Sequence, residues 1–197
     1  SRMQVYLENN LEGIGQEKWD TLAAESPPHT IFQTYGWHIS WWKTFEKNHK
    51  LFLICVKDGG KLIGVSPLYI LSKGRWRIVK FIGTGHSDYG DFLYSQGRLE
   101  VLLKMIDFLA KEKQGWDAVA LDNIPQESPT VRFLIPHCRK DKLYCVHYSS
   151  LLCPALLFDA DKKNIQNILQ KKSIKRHHKY FYKKKGYEVL HLTDVNK

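Results

Sequence analysis

The chain has 197 residues, 43% of them hydrophobic and 13% aromatic, which excludes a disordered polymer and suffices for one buried core. Its net charge of +10 is unevenly spread: residues 1–161 hold 19 basic and 18 acidic side chains, whereas residues 162–185 hold ten Lys/Arg and no acid. That distribution excludes a uniformly basic, histone-like binder and asks what one basic segment is for.

Met3–Glu8 reads as a short strand, and Gln16–Glu25 as an amphipathic helix with Trp19, Leu22 and Ala23 on one face. Ser26-Pro27-Pro28 ends that helix. Thr34 is an N-cap for a second helix reaching about Glu46. On it Trp37 and Trp41 lie one turn apart with Trp42 beside them, a placement that core packing explains. Residues 51–57 and 61–71 form a hairpin across Asp58-Gly59-Gly60, and residues 76–82 add a third antiparallel strand. A glycine-rich loop, 83–91, leads into a short strand at 92–94. Residues 98–113 predict a helix with Leu99, Leu102, Leu103, Ile106 and Leu109 inward. Residues 117–122 predict a strand with Val119 and Leu121 inward, and 129–138 a short helix. Further strands are expected at 143–148 and 151–158. Helices follow at 164–170 and 173–185, the latter capped by Ser173 and closed by Gly186. A last strand is expected at 187–192.

No apolar run approaches the roughly 18 residues of a membrane span. Residues 4–10 alternate rather than forming the apolar block of a signal peptide, so a cytoplasmic protein is expected. Cys55, Cys138, Cys145 and Cys153 show no C-x-x-C spacing and sit in or beside apolar segments, as reduced thiols used as small hydrophobes do. No repeat or linker divides the chain, so residues 1–197 read as one domain. The element order gives an α/β (α+β) class: a mixed, largely antiparallel sheet flanked by helices, in the order of the GCN5-related N-acetyltransferase fold.

The loop at 83–91 places His86, Asp88 and Asp91 within six residues after a strand end. A carboxylate or imidazole there can take a proton from an attacking amine, and glycines let the backbone approach a ligand closely. An ordinary polar turn, with Asp side chains on backbone N–H groups, explains the same residues. Zinc would need further His or Cys ligands at suitable spacing, so no metal is expected. The phosphate-gripping turn of acyl-CoA sites, [QR]-x-x-G-x-[GA] before a helix, does not occur at 83–100. In the basic segment, Lys171, Lys172, Lys175, Arg176 and Lys179 cluster at the start of a helix and suit an anionic group such as a nucleotide diphosphate or a CoA phosphate. A solvated lysine-rich face explains them equally. Tyr180, Phe181 and Tyr182 interleave with the charges and would stack bases, but no nucleic-acid motif accompanies them.

Five blocks in order carry a resemblance: Phe32-Gln33-Thr34-x-x-Trp37 with Ser40-Trp41-Trp42; Gly64-Val65-Ser66-Pro67-Leu68; Phe81-Ile82-Gly83 with Asp88-Tyr89-x-Asp91-Phe92-Leu93; Trp116-Asp117 with Leu121; and Lys171-Lys172-Ser173-x-Lys175-Arg176. Together they resemble the CelD-like acyltransferases, relatives of the FemAB peptidyltransferases. The resemblance implies transfer of an acyl or aminoacyl group to an amine or hydroxyl of a cell-envelope or polysaccharide precursor. Acyl-CoA would be the donor, and an anionic or nucleotide-linked substrate the partner. It places Gln33, Trp37 and Tyr89 at the substrate cleft and the basic block on the anionic group. Such proteins pair two acyltransferase-like halves, so the chain is expected to be the first half, with the donor held mainly by the second. A nucleic-acid-binding module and a non-catalytic scaffold are the alternatives.

Overall fold

Two strands that are apolar on both sides set the architecture. β2 (His49–Asp58) buries Phe52 through Val56 without interruption, and β3 (Lys61–Lys73) buries Ile63 through Ile70. Such runs belong at the centre of a sheet covered on both faces. The computed structural model describes residues 2–27, 29–112, 115–140, 145–147, 167 and 170–179, and shows that arrangement. β1 (Met3–Glu8) pairs antiparallel with β2, β2 with β3, and β3 with β4 (Trp76–Phe81). The turn between β2 and β3 rests on Gly59 and Gly60, both at positive φ, as a two-residue hairpin turn requires. A two-stranded parallel pairing joins β4 to β6 (Ala118–Val119), and β5 (Leu93–Tyr94) pairs with β3 beyond the end of β4. The sheet order is β1-β2-β3-β4-β6 with β5 on β3.

Helices fill the two faces. α1 (Gln16–Glu25), a 3-10 turn at Ile31–Gln33 and α2 (Tyr35–Phe45) cover one, where Trp19, Leu22, Trp41 and Trp42 pack on Leu53, Cys55 and Val65. Thr34 caps α2 as expected, its hydroxyl accepting from the Trp37 N–H at 3.3 Å. α3 (Leu99–Lys111) covers the other face, burying Val101, Leu102, Met105, Ile106, Leu109 and Ala110 against Ile54, Val56 and Leu68. Its buried stripe is therefore rotated from the expected one: Leu103 is only half-buried, and Val101 and Met105 take the inward positions. The rotation lets α3 approach Gly64, where an added Cβ would stand 2.5 Å from Val101 Cγ1. α4 (Pro129–Lys140) follows.

The strand expected at 117–122 is reduced to two residues. Asp117 is occupied by Arg77, accepting from its N–H at 2.8 Å and from its guanidinium at 3.0 and 3.1 Å. After Ala120 the chain bonds to the loop that follows β4 instead of to β4 itself: the Gly90 N–H donates to the Asn123 carbonyl at 3.1 Å. The loop has taken the ladder position.

The chain forms two compact units, Ser1–His147 and Tyr148–Lys197. All the elements above lie in the first. In the second, α5 (Lys172–His178) starts one residue earlier than expected: Lys171 is its N-cap, no side chain caps it, and Ser173 lies inside the helix. Of the residues expected as a strand at 143–148, only 145–147 are described, and they have no regular structure. The elements expected at 151–158 and 187–192, most of 164–170, Gly186 and Cys153 lie outside the described residues. Cys55 and Cys145 are free thiols.

Candidate active site

β4 and β6 run parallel, and both end on the side from which residues 82–91 and 120–124 leave the sheet. The carboxyl ends of parallel strands, where neighbouring connections diverge, are where open α/β sheets receive ligands. β3 changes partner at the same place, from β4 to β5, and residues 83–91 are extruded between the two. The Ile82 N–H still donates to the Pro67 carbonyl at 2.8 Å. Gly83 then turns the chain at φ 100°, which other residues rarely adopt. The N–H groups of His86 and Ser87 both return to the Gly83 carbonyl at 2.9 Å.

Two indoles from α2 hold this turn. Trp37 Nε1–H donates to Ser87 Oγ at 2.8 Å, and Trp41 Nε1–H donates to His86 Nδ1 at 3.1 Å. Their one-turn spacing on α2 delivers both N–H groups to neighbouring loop residues. From the other side, Asn123 Nδ2 donates to the Ser87 carbonyl at 3.0 Å. The His86 ring stacks on Phe45, with centroids 4.7 Å apart and planes at 24°. Because Nδ1 accepts from Trp41, neutral His86 carries its proton on Nε2. Its exposed edge is thus a donor and has no lone pair to offer a substrate proton. Asp88, two residues on and exposed, is the acceptor on the same loop.

The remaining loop candidates lie behind this rim. Gln33, Tyr89 and Asp91 line one small cavity of about 10 Å³, the size of a single water, together with His38, Pro67 and Phe81. Asp91 is only 6% exposed, and Oδ1 accepts from the Phe92 N–H at 2.8 Å and from Thr130 Oγ1–H at 2.6 Å. Burial pushes its carboxyl above the usual range, opposed by those bonds and one from Ser128. Its geometry fastens the loop to the start of α4. Gln33 is 2% exposed, and its Oε1 accepts from the Thr30 N–H at 2.9 Å, closing a capping box on the 3-10 turn.

His38 is a further polar group on the cavity, at 3% exposure. Its Nδ1–H donates to the Thr34 carbonyl at 2.8 Å, and burial pushes its pKa down to about 4, so it is neutral with Nε2 as acceptor. Sequence spacing puts it on the face of Trp41 and Trp42, a signal that reads equally as core.

The α3 start does not fit a pyrophosphate. Its N-cap is Arg98, whose guanidinium is engaged by Asp58 at 3.2 Å and Glu100 at 2.8 Å, and the Glu100 carboxylate sits in the first turn where an anion would bind. Among the described residues no cluster of His, Cys, Asp and Glu could hold a metal. Lys171, Lys172, Lys175, Arg176 and Lys179 are all exposed on or beside α5, in the second unit.

No protein-family model and no curated protein matches the sequence. The chain is similar to several solved structures. One is a ribosomal-protein-alanine N-acetyltransferase from Brucella melitensis biovar Abortus 2308, at 15% identity and TM-score 0.45 over 79% of this chain and 100% of that one. Another is an aminoglycoside acetyltransferase from an uncultured soil metagenomic sample, at 13% identity and TM-score 0.46 over 79% and 97%. A third is a glucosamine-6-phosphate N-acetyltransferase from Arabidopsis thaliana, at 9% identity and TM-score 0.42 over 78% and 99%.

Proposed function

We propose that the chain is an acyltransferase of the GCN5-related N-acetyltransferase kind, with the CelD-like role of passing an acyl or aminoacyl group to an amine or hydroxyl of a cell-envelope or polysaccharide precursor. The observation that carries this reading is the 83–88 turn at the carboxyl ends of β4 and β6. It carries the exposed His86 and Asp88 two residues apart, and two indole N–H groups hold it.

Acyl transfer needs both a proton acceptor and a hydrogen-bond donor. The acceptor nitrogen or oxygen attacks the carbonyl carbon of a thioester or ester, and negative charge builds on the carbonyl oxygen. The proton of the attacking atom leaves to Asp88. The tetrahedral adduct then expels the thiolate or alkoxide, which takes up a proton. A donor N–H such as that of His86 stabilises the developing oxyanion. Asp91 supports the loop from behind, and Gln33, Trp37 and Tyr89 shape its floor. The start of α3 does not fit the diphosphate of an acyl-CoA, so the anionic part of the donor falls to the second acyltransferase-like half that a FemAB-like organisation implies.

Turnover of acetyl-CoA against a panel of amino sugars and sugar nucleotides tests the reading on the full chain and on Asp88→Asn. Loss of a proton acceptor lowers kcat by about 10²–10⁴-fold with little change in KM. Undiminished turnover in Asp88→Asn overturns it.

A further inference from the structure

Four cations of the first unit pair with acids of the same unit: Arg77 with Asp117, Lys80 with Asp122, Arg98 with Asp58 and Glu100, and Lys111 with Asp107. Residues 162–185 contain no carboxylate, and among the described residues none pairs with Lys171, Lys172, Lys175, Arg176 or Lys179.

Their placement is ordered. Lys172, Lys175, Arg176 and Lys179 stand at i, i+3, i+4 and i+7, which gathers them on one face of the helix, with Lys171 at its edge. All five are exposed. The face spans about 10 Å along the helix axis, which is close to one Debye length at physiological salt, so an opposing surface meets the charges as one group.

We propose that this face of α5 is a membrane-surface contact, which docks the chain on bilayers containing anionic lipid. Two partners compete for a row of cations, and the residue types separate them. Nine of the ten cations in residues 162–185 are lysine. Arginine is the residue that grips phosphates bidentately, stacks on bases and reads their edges; lysine is a compact point charge suited to a diffuse negative field. Clusters of four to eight basic residues on a helix are the sequence form of recognition by an anionic leaflet. The first unit adds no comparable field, because its charges nearly cancel. The contact is peripheral, since no described helix is long and apolar enough to cross a membrane. The inference does not rest on acyl transfer.

The test uses the full chain and sedimentation with vesicles of phosphatidylcholine alone, or of phosphatidylcholine with phosphatidylglycerol. The chain is expected to sediment with the anionic vesicles only, and less at high salt. Lys175→Gln alone weakens binding about fivefold, and replacing Lys172, Lys175, Arg176 and Lys179 together by Gln abolishes it. A charge-matched control, with the exposed Lys18, Lys47, Lys61 and Lys73 replaced by Gln, retains binding. Equal binding to neutral vesicles, equal loss in the control, or capture of a single-stranded RNA at lower phosphate concentration than the vesicles overturns the proposal.

Discussion

An indole N–H bonded to one nitrogen of an imidazole decides what the other nitrogen can do. Trp41 reaches Nδ1 of His86, so the proton of the neutral ring is held on Nε2, and the ring is fixed edge-out by its stack on Phe45. This predicts a signature that does not depend on finding a substrate. In the nitrogen NMR spectrum, the neutral form of the His86 ring should carry its proton on Nε2 with Nδ1 bare, and Trp41→Phe should redistribute the two tautomers. A neutral ring protonated on Nδ1 in the unaltered chain would contradict the assignment. Where turnover is measurable, Trp41→Phe removes one hydrogen bond of ordinary strength and lowers kcat by up to about tenfold. The sequence groups His86, Asp88 and Asp91 in six residues and offers two readings of them together, a proton-handling cluster or a polar turn with Asp side chains on backbone N–H groups. The structure separates them, because Asp91 turns inward to Thr130, 39 residues further on. A contact of that range leaves no periodic trace, so neighbourhood in sequence overstated the size of the cluster.

Elements were legible where a local rule decides them. The Thr34 cap, the Gly59-Gly60 turn and the apolar runs of β2 and β3 each follow from residue chemistry within a few positions. The elements shaped by competition were not. The strand at 117–122 shrinks to two residues, with the chain beyond it bonding to Gly90 of the loop, and the buried stripe of α3 shifts so that Val101 and Met105 meet Gly64. The second case yields a test. In Gly64→Ala the new methyl meets Val101 Cγ1 at 2.5 Å and Met105 Sδ at 3.3 Å, so β3 and α3 must part. Overpacking of that kind costs about 1–3 kcal/mol in urea unfolding. Val101→Ala on its own also destabilises, by leaving a cavity, yet the double variant should be more stable than the two losses added together. Strict additivity would mean that the contact is not tight. At the loop, Gly83→Ala combines a left-handed φ with a methyl that collides with Ser87 Oγ. It should lose the turn that carries His86 and Asp88, and with it any turnover, while the far-ultraviolet circular dichroism stays unchanged.

At the scale of the whole molecule, pH selects between groups of opposite sign. The exposed carboxylates of Asp117 and Glu100 are held below their usual range by hydrogen bonds from Arg77 and Arg98, so their contributions are present above that range, lost in strong acid, and small. Asp91 acts the other way. Burial raises its pKa, so its contribution is present at low pH and lost as pH rises through the raised value. His38 has the widest window. The unfolded chain protonates it near pH 6.5, whereas burial lowers its folded pKa to about 4. The unfolded state therefore binds more protons between those values. The stability that His38 contributes is complete above about pH 6.5 and falls as the solution is acidified towards pH 4. The shift corresponds to about 3 kcal/mol. His38→Gln has no such titration. Urea unfolding of the two proteins at several pH values gives the difference between them, in which the terms from Asp91 and the surface carboxylates cancel. That difference should shrink by about 3 kcal/mol between pH 7 and pH 4. A difference that stays constant across this range would mean that the imidazole is protonated inside the fold, and the polar cavity that it shares with Gln33, Tyr89 and Asp91 would then have to hold a charge.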